Sequence, residues 1–130
     1  MFINCSIINE AVKYYHNALE LLPDNAVNDL AAAHHQLGNI YYEVGDLEQA
    51  LYHFSEAIRY MEMAGNIYEA GKTRRNVAIA LQDANRLPDA LEYARAALRH
   101  FQSYPQGAEA DRQKAEGLIK NLILFYIQSL

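Results

Sequence analysis

Apolar residues recur every three or four positions through much of the chain, as at Leu47, Leu51, Phe54 and Ile58. This spacing places them on one face of an α-helix. The amphipathic stretches alternate with short breaks that contain glycine, proline or asparagine, residues that favour turns. The pattern predicts six helices, at about residues 8–22, 27–44, 47–64, 67–84, 87–103 and 108–130. Linkers of two to four residues would make consecutive helices antiparallel.

Several of the predicted helix ends carry their own signal. Gly45 tolerates the left-handed backbone of a C-terminal cap, and Asn85 occupies the corresponding place after the fourth helix. Asp46 is expected to cap the third helix, with Gln49 three positions later completing a capping-box-like pattern. Pro88 falls in the first turn of the fifth helix, where its missing N–H is harmless.

Part of the chain repeats itself. Residues 37–51 return in a less perfect form as residues 77–91, and an internal repeat of this kind predicts a helical-repeat architecture. A partial copy lies 39 positions upstream, at Ala11, Val12, Tyr15, Ala18 and Leu19. The main copies are 40 positions apart and match at Leu37/Val77, Gly38/Ala78, Tyr41/Leu81, Glu43/Asp83, Leu47/Leu87, Ala50/Ala90, Leu51/Leu91, Ala57/Ala97 and Ile58/Leu98.

The 130 residues are expected to form one domain, 1–130. Its predicted parts are an N-terminal half-repeat 1–23, a repeat 24–64, a repeat 65–104 and a C-terminal capping helix 105–130. Small residues should let the helices approach closely, at Gly38, Ala50, Ala57, Ala78, Ala90 and Ala97. Larger residues should fill the space between them, at Leu47, Leu51, Phe54, Ile58, Leu87, Leu91 and Leu98. Among the ten tyrosines, Tyr41, Tyr15 and one of Tyr14 or Tyr93 are expected in the core.

The middle repeat resembles a tetratricopeptide repeat, through Leu37-Gly38 and Tyr41 in its first helix and Ala50, Phe54 and Ala57 in its second. The following copy has Ala78 at the glycine position and Ala94 at the aromatic position. The resemblance covers roughly residues 8–100. The usual repeat has about 34 residues, and the 40-residue step is similar to the longer variety in polarity scaffolds, kinesin light chains and sensor arms of bacterial signalling ATPases.

The resemblance implies an all-α solenoid of antiparallel helix pairs, with two full repeats flanked by half-repeats. It also implies that the first helix of each pair, called A, lines a groove that binds a protein or peptide. The groove residues it indicates are His35, Asn39, Tyr42, Lys72, Arg75, Asn76, Ile79 and Arg112. Asparagine amides can pair with a peptide backbone, and Lys72, Arg75 and Arg112 predict a ligand with an acidic group. At His35 and Glu116 the chain departs from the residues with which some family members hold a terminal carboxylate.

The last predicted helix is apolar around its whole circumference, since residues 122–127 are all apolar or aromatic. A helix that packs on one side needs an apolar stripe of only about 100°. The opening half-repeat, with Phe2, Ile3, Ile7 and Ile8, has no A helix as a partner in the predicted order. These features predict a homodimer or larger homo-oligomer, with terminal helices exchanged between copies as one arrangement, in which Leu122, Phe125, Tyr126 and Ile127 mediate self-association. The other explanation is that the chain is a segment of a longer array.

Composition excludes several classes of function. A net charge of −5 and a pI near 5.4 argue against nucleic-acid binding. The single Cys5 allows no internal disulfide and favours a reducing, cytoplasmic location. No basic leader precedes the apolar start, so a signal peptide is not expected. No apolar run of 18 residues occurs, so no membrane segment is expected.

Motifs for catalysis are also missing. There is no Gly-x-Gly or Gly-x-Ser-x-Gly motif. The five histidines lack a metal-binding spacing and are expected on the surface or in the groove. We therefore expect a non-catalytic scaffold for a protein or peptide, without metal or cofactor. The alternative is a self-associating regulatory or sensor segment of a larger bacterial signalling protein.

Overall fold

The computed structural model describes residues 5–104 and 106–130. Within them the chain forms six helices and no strands. The predicted roles of Phe2 and Ile3 in the opening half-repeat, and Pro105 after the fifth helix, lie outside the described residues. The helices are α1 (Cys5–Leu21), α2 (Val27–Glu43), α3 (Leu47–Met63), α4 (Ile67–Asp83), α5 (Leu87–Gln102) and α6 (Glu109–Gln128).

The helix ends follow the predicted signals. Gly45 and Asn85 have positive φ angles of 85° and 59°, so the left-handed turn predicted at both positions is confirmed. The Asp46 carboxylate accepts a hydrogen bond from the backbone N–H of Gln49 at 3.3 Å, which confirms the cap of α3. Pro88 lies in the first turn of α5, as expected.

The residues group into two compact units, Met1–Gly65 and Asn66–Leu130, here called unit 1 and unit 2. In unit 1, helix α2 packs against α3 and, less extensively, against α1. In unit 2, helix α5 packs against both α4 and α6. Each unit therefore contains one tight helix pair, α2 with α3 or α4 with α5, and one further helix.

The core of unit 1 is built from small residues and one aromatic ring. Ala50 and Ala57 are buried on α3, as predicted for a close helix crossing. Gly38 on α2 faces the buried ring of Phe54, and a Cβ atom added at Gly38 would lie 2.7 Å from Phe54 Cδ1. Leu37 is fully buried beside this contact. Glycine is thus required at position 38 because the ring of Phe54 fills the space that a side chain at this position would occupy.

Unit 2 makes the same kind of contact at other positions of the repeat. Ala78 and Ala94, which stand 40 residues after Gly38 and Phe54, are both fully buried. The aromatic ring is now Phe101, and it faces Gly71, where an added Cβ would lie 3.0 Å from Phe101 Cε1. The contact between ring and glycine is therefore made at a different place along the helix pair. This accounts for the alanines at the glycine and aromatic positions of this repeat, Ala78 and Ala94.

Some predicted core residues are less buried than expected. Tyr14 is 68% exposed, so its alternative assignment to the core is wrong. Three of the predicted core tyrosines are only partly buried, namely Tyr15, Tyr41 and Tyr93. The same partial burial is found for four leucines at the edges of the helix pairs, Leu47, Leu51, Leu91 and Leu98. Alanine and glycine bring the helices so close together that larger side chains are displaced to these edges.

None of the helices in the described part of the chain has both the length and the apolar character needed to cross a bilayer.

Candidate functional site

In unit 1, three residues predicted to bind a peptide share one face of α2. His35, Asn39 and Tyr42 are spaced four and three positions apart, which aligns them along the helix. Asn39 is exposed, and Tyr42 is 37% exposed. His35 is half-buried because its imidazole packs edge-on against Phe54, with the ring centroids 5.8 Å apart. This strip offers an amide and a phenol to solvent.

In unit 2, three further predicted residues form a similar strip on α4. Lys72, Asn76 and Ile79 have the same spacing of four and three, and both Asn76 and Ile79 are exposed. The Lys72 ammonium lies 3.0 Å from Glu69 Oε1 and 5.0 Å from the centroid of the Tyr68 ring. Lys72 is therefore a partly solvated cation on the α4 strip.

Arg75 belongs to a polar network inside unit 2. Its Nη1 lies 3.2 Å from Oδ1 of Asp111, a carboxylate that α6 buries against the unit. The Tyr68 hydroxyl donates a hydrogen bond to the other oxygen of Asp111, and this bond raises the pKa of Tyr68. The backbone N–H of Tyr68 donates to the hydroxyl of Tyr104 at 2.8 Å. Arg75 thus compensates a buried carboxylate, a role the sequence pattern did not indicate.

Arg112 also contacts its own unit. Its Nη1 lies 3.5 Å from the carbonyl oxygen of Phe101, in the last turn of α5, and 3.2 Å from that of Tyr104, just after the helix. Its Nη2 lies 3.3 Å from Glu109 Oε1. Arg112 therefore satisfies carbonyl groups at the end of α5. The ligand-binding roles of Arg75 and Arg112 stay predictions.

The residues predicted to mediate self-association are divided by the structure. Leu122 is 1% exposed and belongs to the interior of unit 2. Phe125, Tyr126 and Ile127 are exposed by 50%, 46% and 58%, and they leave an apolar surface on the last turns of α6. The exposed surface therefore consists of the last three residues of the predicted set, without Leu122.

Helix α1 in unit 1 has an exposed apolar stripe of its own. Ile7, Tyr14 and Leu21 are spaced seven positions apart and are all well exposed. Ala18 on α1 is only half-buried, whereas Ala57, its counterpart in the repeat, is fully buried on α3. Part of the α1 surface that corresponds to a helix contact in α3 is thus open to solvent.

Two histidines form a buried pair that the sequence analysis missed. His34 and His53 are 7% and 3% exposed, and their Nδ1 atoms are 3.0 Å apart. Their expected location on the surface or in the groove is therefore wrong. The signal was their register: His34 lies between Ala31 and Gly38, and His53 between Ala50 and Ala57, at the spacing of the buried face.

The pair lies in aromatic surroundings. Tyr41 stacks on His53 with ring planes 6° apart, and Tyr60 stacks on His34 with planes 15° apart. Burial lowers the pKa of both imidazoles, that of His53 to about 4. Both rings are therefore neutral near pH 7. Within the described residues, no cluster of three or more histidine, cysteine or acidic side chains is arranged to hold a metal ion.

Each unit also has an open cavity. In unit 1 a cavity of about 540 Å³ between α1 and α2 has a largely apolar lining that includes Ile8, Val12, Ile40 and Val44. In unit 2 a cavity of about 480 Å³ between α4 and α5 is lined by Arg74, Glu92, Tyr93, Ala96 and Arg99.

Comparisons with known proteins agree with the helical-repeat fold. The family model for the tetratricopeptide repeat matches residues 29–103. The crystal structure of BtubC (BKLC) from P. vanneervenii is similar to this chain, with a TM-score of 0.68 and 16% sequence identity. The similarity covers 95% of this chain and 58% of BtubC, so the chain spans little more than half of that protein. No curated protein sequence matches the chain. The predicted all-α helical-repeat class is confirmed.

Proposed function

Since the chain belongs to the tetratricopeptide repeat family, we propose that it is a non-catalytic scaffold that binds a peptide segment of a partner protein, in the cytoplasm. Repeats of this family are protein-interaction modules in general. The observation that carries the proposal is the pair of exposed strips on the A helices. These are His35, Asn39 and Tyr42 on α2, and Lys72, Asn76 and Ile79 on α4.

The chemistry of the strips suits an extended peptide with an acidic group. The amides of Asn39 and Asn76 can each donate to a carbonyl and accept from an N–H of a peptide backbone. Tyr42 and Ile79 offer apolar contact beside them, and tyrosine is a frequent hot-spot residue at interfaces. No member of either strip is itself acidic, although Glu69 pairs with Lys72 beside the α4 strip.

Lys72 is the cation that best fits the acidic group. Its ion pair with Glu69 is on the surface, and surface pairs typically contribute only about 0–1 kcal/mol. A ligand carboxylate can therefore replace Glu69 at low cost. Arg75 and Arg112 are more firmly held by Asp111 and by the end of α5, so we propose that they stabilise unit 2 and support the strip indirectly.

The test begins with capture of partners on the purified chain, followed by affinity measurement with one purified partner. Asn39→Ala, Asn76→Ala and Lys72→Ala should each weaken binding by about 5–10-fold, the loss of roughly one hydrogen bond or charge contact. Affinity of the unmodified chain should fall as salt rises, with a smaller salt effect for Lys72→Ala. Asn121→Ala, at an exposed position on α6 away from both strips, is the control. Unchanged affinity in the Asn39→Ala, Asn76→Ala double variant would refute the proposed surface.

A second candidate function is self-association, favoured by the exposed apolar surface of α6. We propose that Phe125, Tyr126 and Ile127 of one copy pack on the exposed stripe of α1 in a second copy. Made reciprocally between two copies, this contact closes a two-fold homodimer. This would also suit a self-associating segment of a larger signalling protein.

Sedimentation velocity between about 1 and 100 μM tests this candidate over the affinity range of modest interfaces. The unmodified chain should show species larger than one copy, and Phe125→Glu with Ile127→Glu should remove them. Glu116→Gln, a change at an exposed position outside the last turns of α6, is the control. A chain that sediments as a single copy at 100 μM would refute this candidate.

A further inference from the structure

The buried histidine pair of unit 1 belongs to neither proposed binding surface. We propose that His34 and His53 form an acid-sensitive latch between α2 and α3. When the pair takes up protons, the two rings separate and the packing of α2 on α3 loosens. This goes beyond the proposed scaffold function, because it concerns the packing of unit 1 itself and requires no ligand.

The geometry of the pair limits the number of protons it can hold. At an Nδ1–Nδ1 distance of 3.0 Å, one ring must donate its N–H and the other must present a lone pair. A first added proton places a positive charge in a buried site. A second proton removes the acceptor and brings two cations to the same short distance. Fully protonated rings therefore cannot remain in this arrangement.

The groups around the pair offer little compensation for a positive charge. Each ring is covered by a stacked tyrosine on one side and meets other rings edge-on. His16 on α1 lies 5.6 Å from His53, between ring centroids, and its charge lowers the pKa of both histidines. The other rings against the pair are the phenols of Tyr41, Tyr52 and Tyr60, contributed by α2 and α3.

One carboxylate, Glu56 on α3, acts in the opposite direction. Its charge raises the pKa of both histidines, whereas Arg59 lowers that of His34. Glu56 is already engaged by Arg59, whose Nη2 lies 2.6 Å from Glu56 Oε2. For both histidines the larger effect is burial, which lowers the pKa. The carboxylate thus moderates the effect of acid on the pair without removing it.

The direction of the pH effect follows from proton linkage. Freed from the pair, each imidazole has an ordinary pKa of about 6.5, whereas that of His53 in the folded unit is about 4. The open form therefore binds more protons, and acid favours it. The contribution of the pair to stability is complete above about pH 6.5 and is lost as the pH falls towards 4. Because two rings are released together, the response should involve more than one proton.

Unit 2 provides an internal comparison. Forty positions after His34 and His53 stand Arg74 and Tyr93, at the same places of the α4–α5 pair. A permanent cation thus occupies the position of His34, and Arg74 lies 3.5 Å from His100 Nε2. Glu92 lines the same cavity as Arg74, whereas the equivalent residue in unit 1 is the neutral Tyr52. Unit 2 accommodates a cation at the position where unit 1 has the neutral pair.

The main test follows hydrogen exchange and urea unfolding of the full chain between pH 7.5 and pH 5. In the unmodified chain, exchange of α2 and α3 amides, corrected for intrinsic rates, should accelerate by at least 10-fold, while that of α4 and α5 changes much less. The change in the logarithm of the unfolding equilibrium constant per pH unit gives the number of protons taken up on unfolding. We expect this number to exceed one. The His34→Phe, His53→Phe variant keeps two rings without ionisation and should lose this acceleration. His100→Gln, which removes an imidazole from unit 2, should retain it.

A direct measurement on the unmodified chain covers the case in which the Phe variant does not fold. In the nuclear magnetic resonance spectrum, the ring signals of His34 and His53 should not titrate near pH 6.5 while unit 1 is folded, and one ring should be the Nδ1–H tautomer. Ordinary titration of both rings near pH 6.5 in the folded chain would overturn the proposal. Equal acid acceleration in the Phe variant and in the unmodified chain would overturn it as well.

Discussion

The contact between Gly38 and Phe54 gives the sharpest test of how unit 1 is packed. A Cβ atom at position 38 would lie 2.7 Å from Cδ1, 2.8 Å from Cε1 and 3.0 Å from Cγ of Phe54. Carbon atoms in favourable contact are about 3.5–4.0 Å apart. The ring is buried and Gly38 lies within α2, so neither can move without disturbing the core. We therefore expect Gly38→Ala to destabilise the protein.

The expected change in the free energy of unfolding for Gly38→Ala is the difference between two opposing effects. Replacing a glycine inside a helix by alanine favours the helix by about 1 kcal/mol. Overpacking a tight core typically costs about 1–3 kcal/mol. The net change for Gly38→Ala is thus a loss of about 0–2 kcal/mol. Gly117, in the middle of α6, has no atom within 4 Å of an added Cβ, so Gly117→Ala should stabilise by about 0.4–1 kcal/mol.

The assay is urea unfolding followed by circular dichroism, with the midpoint and the slope fitted for each variant. The free-energy difference between Gly38→Ala and Gly117→Ala cancels the helix preference and isolates the contact, at about 1–3 kcal/mol. Gly71→Ala, with its contact of 3.0 Å to Phe101, should fall between them. In a Phe54→Ala background, Gly38→Ala should become favourable, because unit 2 already combines Ala78 with Ala94 at these positions. If Gly38→Ala raises the midpoint as much as Gly117→Ala does, the packing argument is wrong.

Two further predictions concern the helix crossings and the turns. Ala57 and Ala97 have no exposed surface, so Ala57→Leu and Ala97→Leu should each lower stability by roughly 1–3 kcal/mol. The control Ala110→Leu, at an exposed position, should change stability little. Unchanged thermal midpoints in the first two variants would show that these are not the crossing residues. Asn85 has a positive φ of 59°, so Asn85→Gly should be neutral or stabilising and Asn85→Ala should cost about 1 kcal/mol in the same thermal melts. Equal midpoints for these two variants would contradict the left-handed turn.

Most helix ends could be predicted because each is determined by residues close in sequence. The predicted ranges of α2 to α5 differ from the structure by a single residue at their C-terminal ends. For α1 the predicted range begins at Ile8, whereas the described residues are already helical at Cys5. The residues near a helix end were thus sufficient to predict its position wherever they form a recognisable cap or turn.

The role of Arg75 could not be predicted because it depends on a residue far away in sequence. Arg75 pairs with Asp111, which α6 brings to it only when both helices pack in unit 2. Arg112 contacts carbonyl groups at the end of α5 only 8 and 11 positions earlier, a contact that the repeat pattern did not indicate. The resemblance to tetratricopeptide repeats indicated which positions could face a ligand, but it contained no information on intramolecular partners. For Asn39 and Asn76 the structure shows exposed positions, and their binding role stays a prediction.

For His34 and His53, the register in the repeat is a better guide to burial than the residue type. Treating histidine as a surface residue led to the wrong location for His34 and His53, although both lie at the spacing of the buried face. In both helix pairs these positions are occupied by large polar or aromatic side chains, namely two histidines in unit 1 and Arg74 with Tyr93 in unit 2. An arginine keeps its charge at any pH at which the protein is folded, whereas a histidine changes its charge between pH 5 and 8 when it is released from burial. The same place in the repeat therefore carries a fixed cation, Arg74, in unit 2 and, in the proposed latch, a pair that responds to acid in unit 1.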